Sequence, residues 1–134
     1  MLKAEEIKKD GKILAIILRS SASDKNVEFV TPKEFPMQLG VHKRKKGDYV
    51  RAHEHIPFKE VKNLEVQEVI FVEKGKVLVG LYHKKKVYRK VTVSSGETIL
   101  LNTGHNVKFL EDTTMFEVKQ GPYRERGYEK IDLE

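Results

Sequence analysis

Short runs with β-type patterning follow one another along the chain, at intervals of about ten residues. One of them, 13–18, is continuously apolar and rich in β-branched residues, which indicates a buried strand. The other predicted strands lie between turn residues, at 27–31, 37–43, 49–55, 66–72, 77–82, 87–93, 98–101, 107–110 and 114–119. This pattern predicts an all-β sandwich or barrel.

Two local features add detail to this prediction. Gly75 separates two strong β runs, which predicts that the runs form a β-hairpin around it. The segment from Ala4 to Lys9 is the one stretch with a helical pattern, so a short N-terminal helix of marginal stability is expected. No internal repeat or linker interrupts the chain. We therefore expect one domain over 1–134, with tails at 1–11 and 124–134.

The composition is typical of a globular protein. With 134 residues, 39% hydrophobic and 34% charged, the chain has the size and balance of one domain. It contains no cysteine, which excludes disulfides and thiolate metal sites. The longest apolar run is too short to cross a membrane, and the N-terminus does not have the pattern of a signal peptide. A cytoplasmic location and no membrane partner are expected.

The formal net charge of +6 raises the question of nucleic-acid binding. The positive charge is concentrated in the run 43–46 and in the run 84–90, and both fall where turns are predicted. Neither run is part of a nucleic-acid-binding motif with spaced aromatic residues. We interpret both as solvated loop charge and predict no nucleic-acid partner.

Four residues form a candidate metal site. His53 and His55 are one residue apart, so on a strand both imidazoles point to the same face. Glu68 opens a strongly apolar run, where an unpaired buried carboxylate would be costly and a bound cation would offset that cost. His105 follows a turn and has the same parity as Val107, which suits the inside of a barrel.

Three imidazoles and one carboxylate suit Fe, Mn, Ni, Zn or Co, and an octahedral ion would keep about two positions open for ligands. Each residue also has an ordinary explanation by itself: a surface His-x-His pair, an edge carboxylate and a loop histidine. If His105 does not bind, two histidines and a carboxylate remain, a set typical of iron and oxygen chemistry. The combination of all four favours the metal.

The same residues resemble the first motif of the cupin family. That motif reads Gly, five residues, His-x-His, a short gap, Glu, six residues, Gly. Here Gly47 precedes His53 and His55 at the same spacing, and Glu68 precedes Gly75 at the same spacing. The gap between His55 and Glu68 is twelve residues, where three or four is usual for the family, so an inserted loop is expected near the site mouth.

The second cupin motif reads Gly, five residues, Pro-x-Gly, two residues, His. The chain has Gly96, five residues and then Asn102-Thr103-Gly104, with Asn in place of Pro. The usual histidine position corresponds to Val107, and His105 lies two residues earlier with the same strand parity. The resemblance covers 47–109, and the ending 117–123, with its Gln-Gly-Pro-Tyr segment, is similar to that of a group of small single-domain cupins.

The resemblance implies a cupin jelly-roll β-barrel that binds one divalent transition metal. A homodimer is expected, because exposed strand edges in small jelly rolls often pair. It does not imply one reaction, because cupins have many. A metal-dependent enzyme, such as an isomerase or dioxygenase, would act on a small polar metabolite in the barrel: a sugar, sugar phosphate or keto acid. The alternative is a non-catalytic module in which the metal tethers a small ligand.

Three further side chains are candidate substrate contacts. Tyr49 and Arg51 have the same strand parity as His53, and Arg51 could bind a carboxylate or phosphate. A surface arginine near the barrel rim is the alternative. Tyr82 is the third candidate, and its alternative is a cross-strand pair with Tyr88.

Overall fold

A computed structural model describes residues 3–19, 26–59, 63–121, 124 and 130–134 of the chain. Ten strands are present and no helix is found in these residues, so the predicted all-β class is confirmed. The strands are β1 Ala4–Lys9, β2 Lys12–Leu18, β3 Val27–Phe29, β4 Gly40–His42, β5 Glu68–Lys74, β6 Lys76–His83, β7 Lys86–Ser94, β8 Thr98–Leu101, β9 His105–Phe109 and β10 Thr114–Lys119. No described segment is a helix long and apolar enough to span a membrane.

Two antiparallel sheets enclose the core. One has five strands in the order β1-β2-β8-β5-β10, and the other has three in the order β7-β6-β9. Alternate apolar side chains of both sheets meet in one buried cluster, as the period of two in a strand requires. The cluster consists of Ile7, Ala15, Ile17, Ile70, Val72, Val77, Val79, Leu81, Val91, Val93, Ile99 and Leu101.

The predicted helix at Ala4–Lys9 is wrong, because these residues form β1. β1 pairs antiparallel with β2 along its whole length, so its backbone hydrogen bonds go to a neighbouring strand, and Ile7 enters the core. Asp10 and Gly11 connect the two strands with φ angles of 51° and 75°. A two-residue turn with positive φ at both positions is the type that Asp-Gly favours in hairpins. Pairing with β2 therefore outweighs the helical propensity of the segment.

The hairpin predicted around Gly75 is also wrong, although both of its strands exist. β5 belongs to the five-stranded sheet and β6 to the three-stranded sheet, so the chain passes from one sheet to the other at this glycine. Gly75 has a φ of 106°, and a Cβ there would lie 2.5 Å from the carbonyl oxygen of Asp112. Glycine is thus required at a tight corner between sheets.

The two sheets do not close into a barrel within the described residues. β3 and β4 pair with each other and join neither large sheet. The strand predicted at 49–55 is absent, and residues 49–58 have no regular secondary structure. The predicted strand 37–43 is reduced to β4. The segment 49–58 is therefore a loop that joins neither sheet, and one end of the sandwich is polar and open.

Candidate functional site

Glu68 and His105 meet at the open end of the core. Glu68 begins β5 and His105 begins β9, so they come from different sheets. Glu68 points to the same face of β5 as Ile70, which lies in the core. His105 points to the same face of β9 as Val107, which packs against the core. Nε2 of His105 lies 3.3 Å from Oε2 of Glu68, and the side chains are only 22% and 16% exposed. Two of the four predicted metal ligands are therefore adjacent.

A backbone carbonyl fixes the orientation of the His105 ring. Nδ1 of His105 donates a hydrogen bond of 2.8 Å to the carbonyl oxygen of Thr103. Because a carbonyl can only accept, Nδ1 carries the proton and Nε2 faces Glu68. A histidine that ligates a metal commonly donates its other ring N–H in this way.

The two groups shift each other's protonation. The hydrogen bond that the His105 imidazole donates to the Glu68 carboxylate raises the pKa of His105 above its ordinary value; burial opposes this, and the Thr103 carbonyl adds to it. The hydrogen bond from His105 lowers the pKa of Glu68, against the effect of burial, and the charge of Lys119 contributes in the same direction. Without a metal, each group therefore favours the charged form of the other.

Around this pair is a cavity of about 390 Å³. Its lining is mostly polar and includes four acidic side chains, two lysines and the His105 imidazole. The lining residues are Glu68, Tyr82, Gly104, His105, Asn106, Glu117, Lys119, Lys130, Ile131, Asp132, Leu133 and Glu134. The volume suits a small metabolite, and the polar lining suits one with several hydrogen-bonding groups.

A buried amide network positions the start of β5. Gln67 is fully buried, and its Nε2 donates to Oδ1 of Asn102 at 3.0 Å. Its Oε1 accepts from the backbone N–H of Met37, and its own N–H donates to Oε1 of Gln120. Asn102 in turn donates to the carbonyl oxygen of Ile13. Glu68 follows Gln67 directly, so this network fixes the backbone from which the carboxylate projects.

His53 and His55 lie elsewhere, in the loop 49–58. Their rings are adjacent, with centroids 5.1 Å apart, and both side chains are exposed. Nδ1 of His53 donates to the carbonyl oxygen of Arg51 at 2.7 Å, which leaves Nε2 as the ring nitrogen that could bind a metal. Within the described part of the chain, no three His, Asp or Glu side chains meet in a group that could hold one ion. The predicted four-ligand set thus appears as two separate pairs.

The donor atoms of the inner pair fit a metal ion. Two ligand atoms, each about 2.1 Å from one ion, lie about 3.0 to 3.4 Å apart at the angles of octahedral or tetrahedral geometry. The 3.3 Å between Oε2 of Glu68 and Nε2 of His105 falls in that range. One carboxylate and one imidazole suit the borderline metals that the sequence predicts.

The three predicted substrate contacts have different positions. Tyr49 and Arg51 are exposed in the loop and do not line the cavity. Tyr82 does line it, and its hydroxyl accepts a hydrogen bond of 3.3 Å from Nδ2 of Asn106. The predicted pairing of Tyr82 with Tyr88 is wrong, because Tyr88 is the extra residue of a bulge in β7 and Tyr82 stands opposite Val87.

Further lining residues were not predicted from the sequence. Glu117 has the same strand parity as Met115, which packs against the core, so alternation along β10 could have placed it inside. Residues 130–134 line the cavity from the C-terminal tail, and no local pattern in the sequence indicates this.

No known protein family, curated protein or solved structure matches this chain. The cupin fold and the metal remain predictions, carried by the motif spacings around His53 and Glu68 and by the chemistry of the inner pair.

Proposed function

We propose that the cavity around Glu68 and His105 is the functional site of a metal-dependent enzyme. In this proposal the chain is a small cupin jelly roll that holds one divalent ion, Fe, Mn, Ni, Zn or Co. Its substrate is a small polar metabolite: a sugar, sugar phosphate or keto acid. The observation that carries the proposal is the carboxylate–imidazole pair, oriented by Thr103 and facing a polar cavity.

His53 and His55 complete the proposed ligand set. They lie in a loop whose Tyr49, Ile56 and Phe58 side chains are exposed. Exposure of several large apolar side chains in one loop is unfavourable, so burial against the open end of the sandwich would be favourable. The free Nε2 of His53 supports its role as a ligand.

The residues around the pair would bind and orient the substrate. Lys119 and Lys130 can pair with a carboxylate or phosphate, while Tyr82 and Asn106 offer hydrogen bonds to hydroxyl groups. The bound ion would supply Lewis-acid or oxygen-activating chemistry, which is the basis for proposing an isomerase or a dioxygenase. A cytoplasmic location and no nucleic-acid or membrane partner belong to the same proposal.

A non-catalytic binding module is the second candidate. In its favour, the described lining contains no Ser, Cys or Thr that could act as a nucleophile, and its one His–carboxylate pair consists of proposed metal ligands. The metal would then tether a small ligand rather than transform it.

Metal analysis of untagged protein tests the proposal. The purified chain is expected to contain one transition metal ion, and His53→Ala and His105→Ala should each lose most of it. His42→Ala, which removes an exposed histidine outside the cavity, should keep it. If His53→Ala retains a full equivalent of metal, the four-ligand set is wrong. Turnover of any compound in a metabolite screen would exclude the non-catalytic candidate.

A further inference from the structure

β10 has an outward face without charge at the edge of the larger sheet. In the described part of the chain, β10 pairs only with β5, so the hydrogen-bonding groups on its other side have no strand partner. Its charged residues, Glu117 and Lys119, line the cavity. The opposite face carries Phe116 and Val118, which are 56% and 60% exposed.

This edge differs from the outer strands β1, β7 and β9. Charged residues on an edge strand prevent pairing with another chain, and Lys is the most frequent of them. Each of the other three carries such residues away from the cavity: Glu6 and Lys8 in β1, Lys86 and Lys90 in β7, and Lys108 in β9. An exposed edge strand with an apolar outward face is suited to pairing.

The apolar surface continues onto β5. Phe116 stacks on Phe71, with ring centroids 6.4 Å apart and an interplanar angle of 16°. Phe71 is itself 38% exposed. The two rings and Val118 form a contiguous apolar surface beside an edge, as expected of a place where another protein surface docks.

We propose that a second copy of this chain docks here by antiparallel pairing of β10 with β10. This proposal is independent of the metal. The two copies are related by a two-fold axis perpendicular to the sheet, so their outward faces lie on the same side. Residues that stand opposite each other in an antiparallel pair point to the same face of the sheet. The axis must therefore pass between two copies of the same residue. The choice of central residue fixes every other pair.

Charge selects the central residue. An axis at Glu117 would set two carboxylates opposite each other, and an axis at Lys119 would set two ammonium groups opposite each other; both are destabilising. An axis at Val118 sets Val118 against Val118, and Glu117 of each copy against Lys119 of the other. That register pairs opposite charges twice and buries apolar surface between them, so it is the one we assign.

The absence of cysteine from the chain allows a direct test of this register. At an axis through Val118, the two Cα atoms lie about 4.5 to 5.5 Å apart, which suits a disulfide. The Cα atoms of the two Phe116 residues lie about 14 Å apart, beyond the reach of a disulfide. Val118→Cys should therefore form a covalent dimer under mild oxidation, whereas Phe116→Cys should not.

Val50→Cys is the matched control, since Val50 is an apolar residue exposed to 55% in the loop. It should stay monomeric on a denaturing, non-reducing gel. A rapid cross-link confined to Val118→Cys supports the proposal. Failure of Val118→Cys to cross-link, a faster cross-link through Phe116→Cys, or equal cross-linking of all three variants overturns it.

Light scattering after size exclusion provides a second measurement, without oxidation. The unmodified chain is expected to be a dimer, and Val118→Lys should weaken the dimer at least tenfold, because it sets two like charges on the axis. Val50→Lys should leave the mass unchanged. A monomeric unmodified chain at high concentration, or a Val118→Lys variant that dimerises as before, would refute the pairing.

Discussion

Glu68 and His105 connect the two sheets at one end of the core, with 3.3 Å between the carboxylate oxygen and Nε2. Glu68 stands opposite Lys119 across one strand pair, and His105 stands opposite Leu81 across another. The contact therefore depends on both sheets being in place. It gives the apolar interior a polar end, and the cavity forms around that end.

The stability of the metal-free protein should depend on pH through this pair. The pKa of His105 is raised, so its contribution is complete below the ordinary imidazole value, about 6.5, and is lost as pH rises through the higher folded value. The pKa of Glu68 is lowered, so its contribution is complete above about 4.3 and is lost as pH falls through the lower folded value. The pair thus stabilises most between about pH 4.3 and 6.5.

Glu68→Gln should reduce the free energy of unfolding in that window by about 1.5 to 3 kcal/mol, the range for hydrogen bonds to charged groups. The difference from the unmodified chain should shrink as pH rises above the window. Urea unfolding at several pH values in the presence of a chelator measures it. Glu54→Gln, at an exposed site, should give the pH profile of the unmodified chain; a constant difference for Glu68→Gln at all pH values would count against the ion pair.

Gly75→Ala should destabilise the fold strongly. The added Cβ would meet backbone atoms of Asp112 and Thr113, which cannot move away cheaply, and φ is 106°. We expect a loss of about 3 kcal/mol from strain and overpacking together. Gly96→Ala is the control: its φ of 83° is also positive, but no atom lies within 4 Å of the new Cβ. It should cost only about 1 kcal/mol. Equal losses in thermal unfolding would show that crowding at Gly75 is unimportant.

Lys85→Gly should stabilise the protein. Lys84 and Lys85 form the two-residue turn between β6 and β7, with φ angles of 50° and 65°, a conformation that costs a side-chain-bearing residue roughly 1 kcal/mol. Glycine adopts it without this cost, so the midpoint of urea unfolding should rise. Lys86→Gly, one residue later and the first residue of β7, should lower the midpoint, since glycine weakens a strand. A fall in both variants would argue against strain in the turn.

Gly104→Ala should release the C-terminal tail from the cavity. A Cβ at Gly104 would lie 2.6 Å from Cδ1 of Leu133, the flexible end of a side chain, so the tail should move and the fold should remain. Carboxypeptidase should then remove the last residues faster, while the melting temperature changes little. Ile131→Ala, at a side chain exposed to 81%, should not alter the digestion rate. Unchanged digestion of Gly104→Ala would mean that Leu133 does not hold the tail.

Local patterns predicted most of the strands correctly. The run 13–18 lies within β2, and β8 and β10 have the predicted bounds. Strand parity placed Glu68 and His105 on the inward face, because alternation is a property of the chain itself. The dipeptide Asp10-Gly11 is a hairpin-turn signal in the sequence. Had this signal been given more weight than helical propensity, Ala4–Lys9 would have been predicted as a strand.

Pairing between distant segments was not predictable in the same way. Which sheet β5 and β6 join depends on contacts with β8, β9 and β10, and a glycine turn does not distinguish a hairpin from a corner between sheets. The predicted strand through His53 and His55 alternates well, yet a strand forms only where a neighbour accepts its hydrogen bonds.

By itself, the sequence determined the all-β class, most strand positions and the inward orientation of Glu68 and His105, since these follow from the local period of side chains along a strand. Only the tertiary structure decided that Ala4–Lys9 is a strand, that Glu68 pairs with His105 across two sheets, and that Glu117, Lys119 and the C-terminal residues share their cavity. The reason is physical: a side chain's direction is set by its own backbone, but its neighbours are set by which strands pair and which sheets pack.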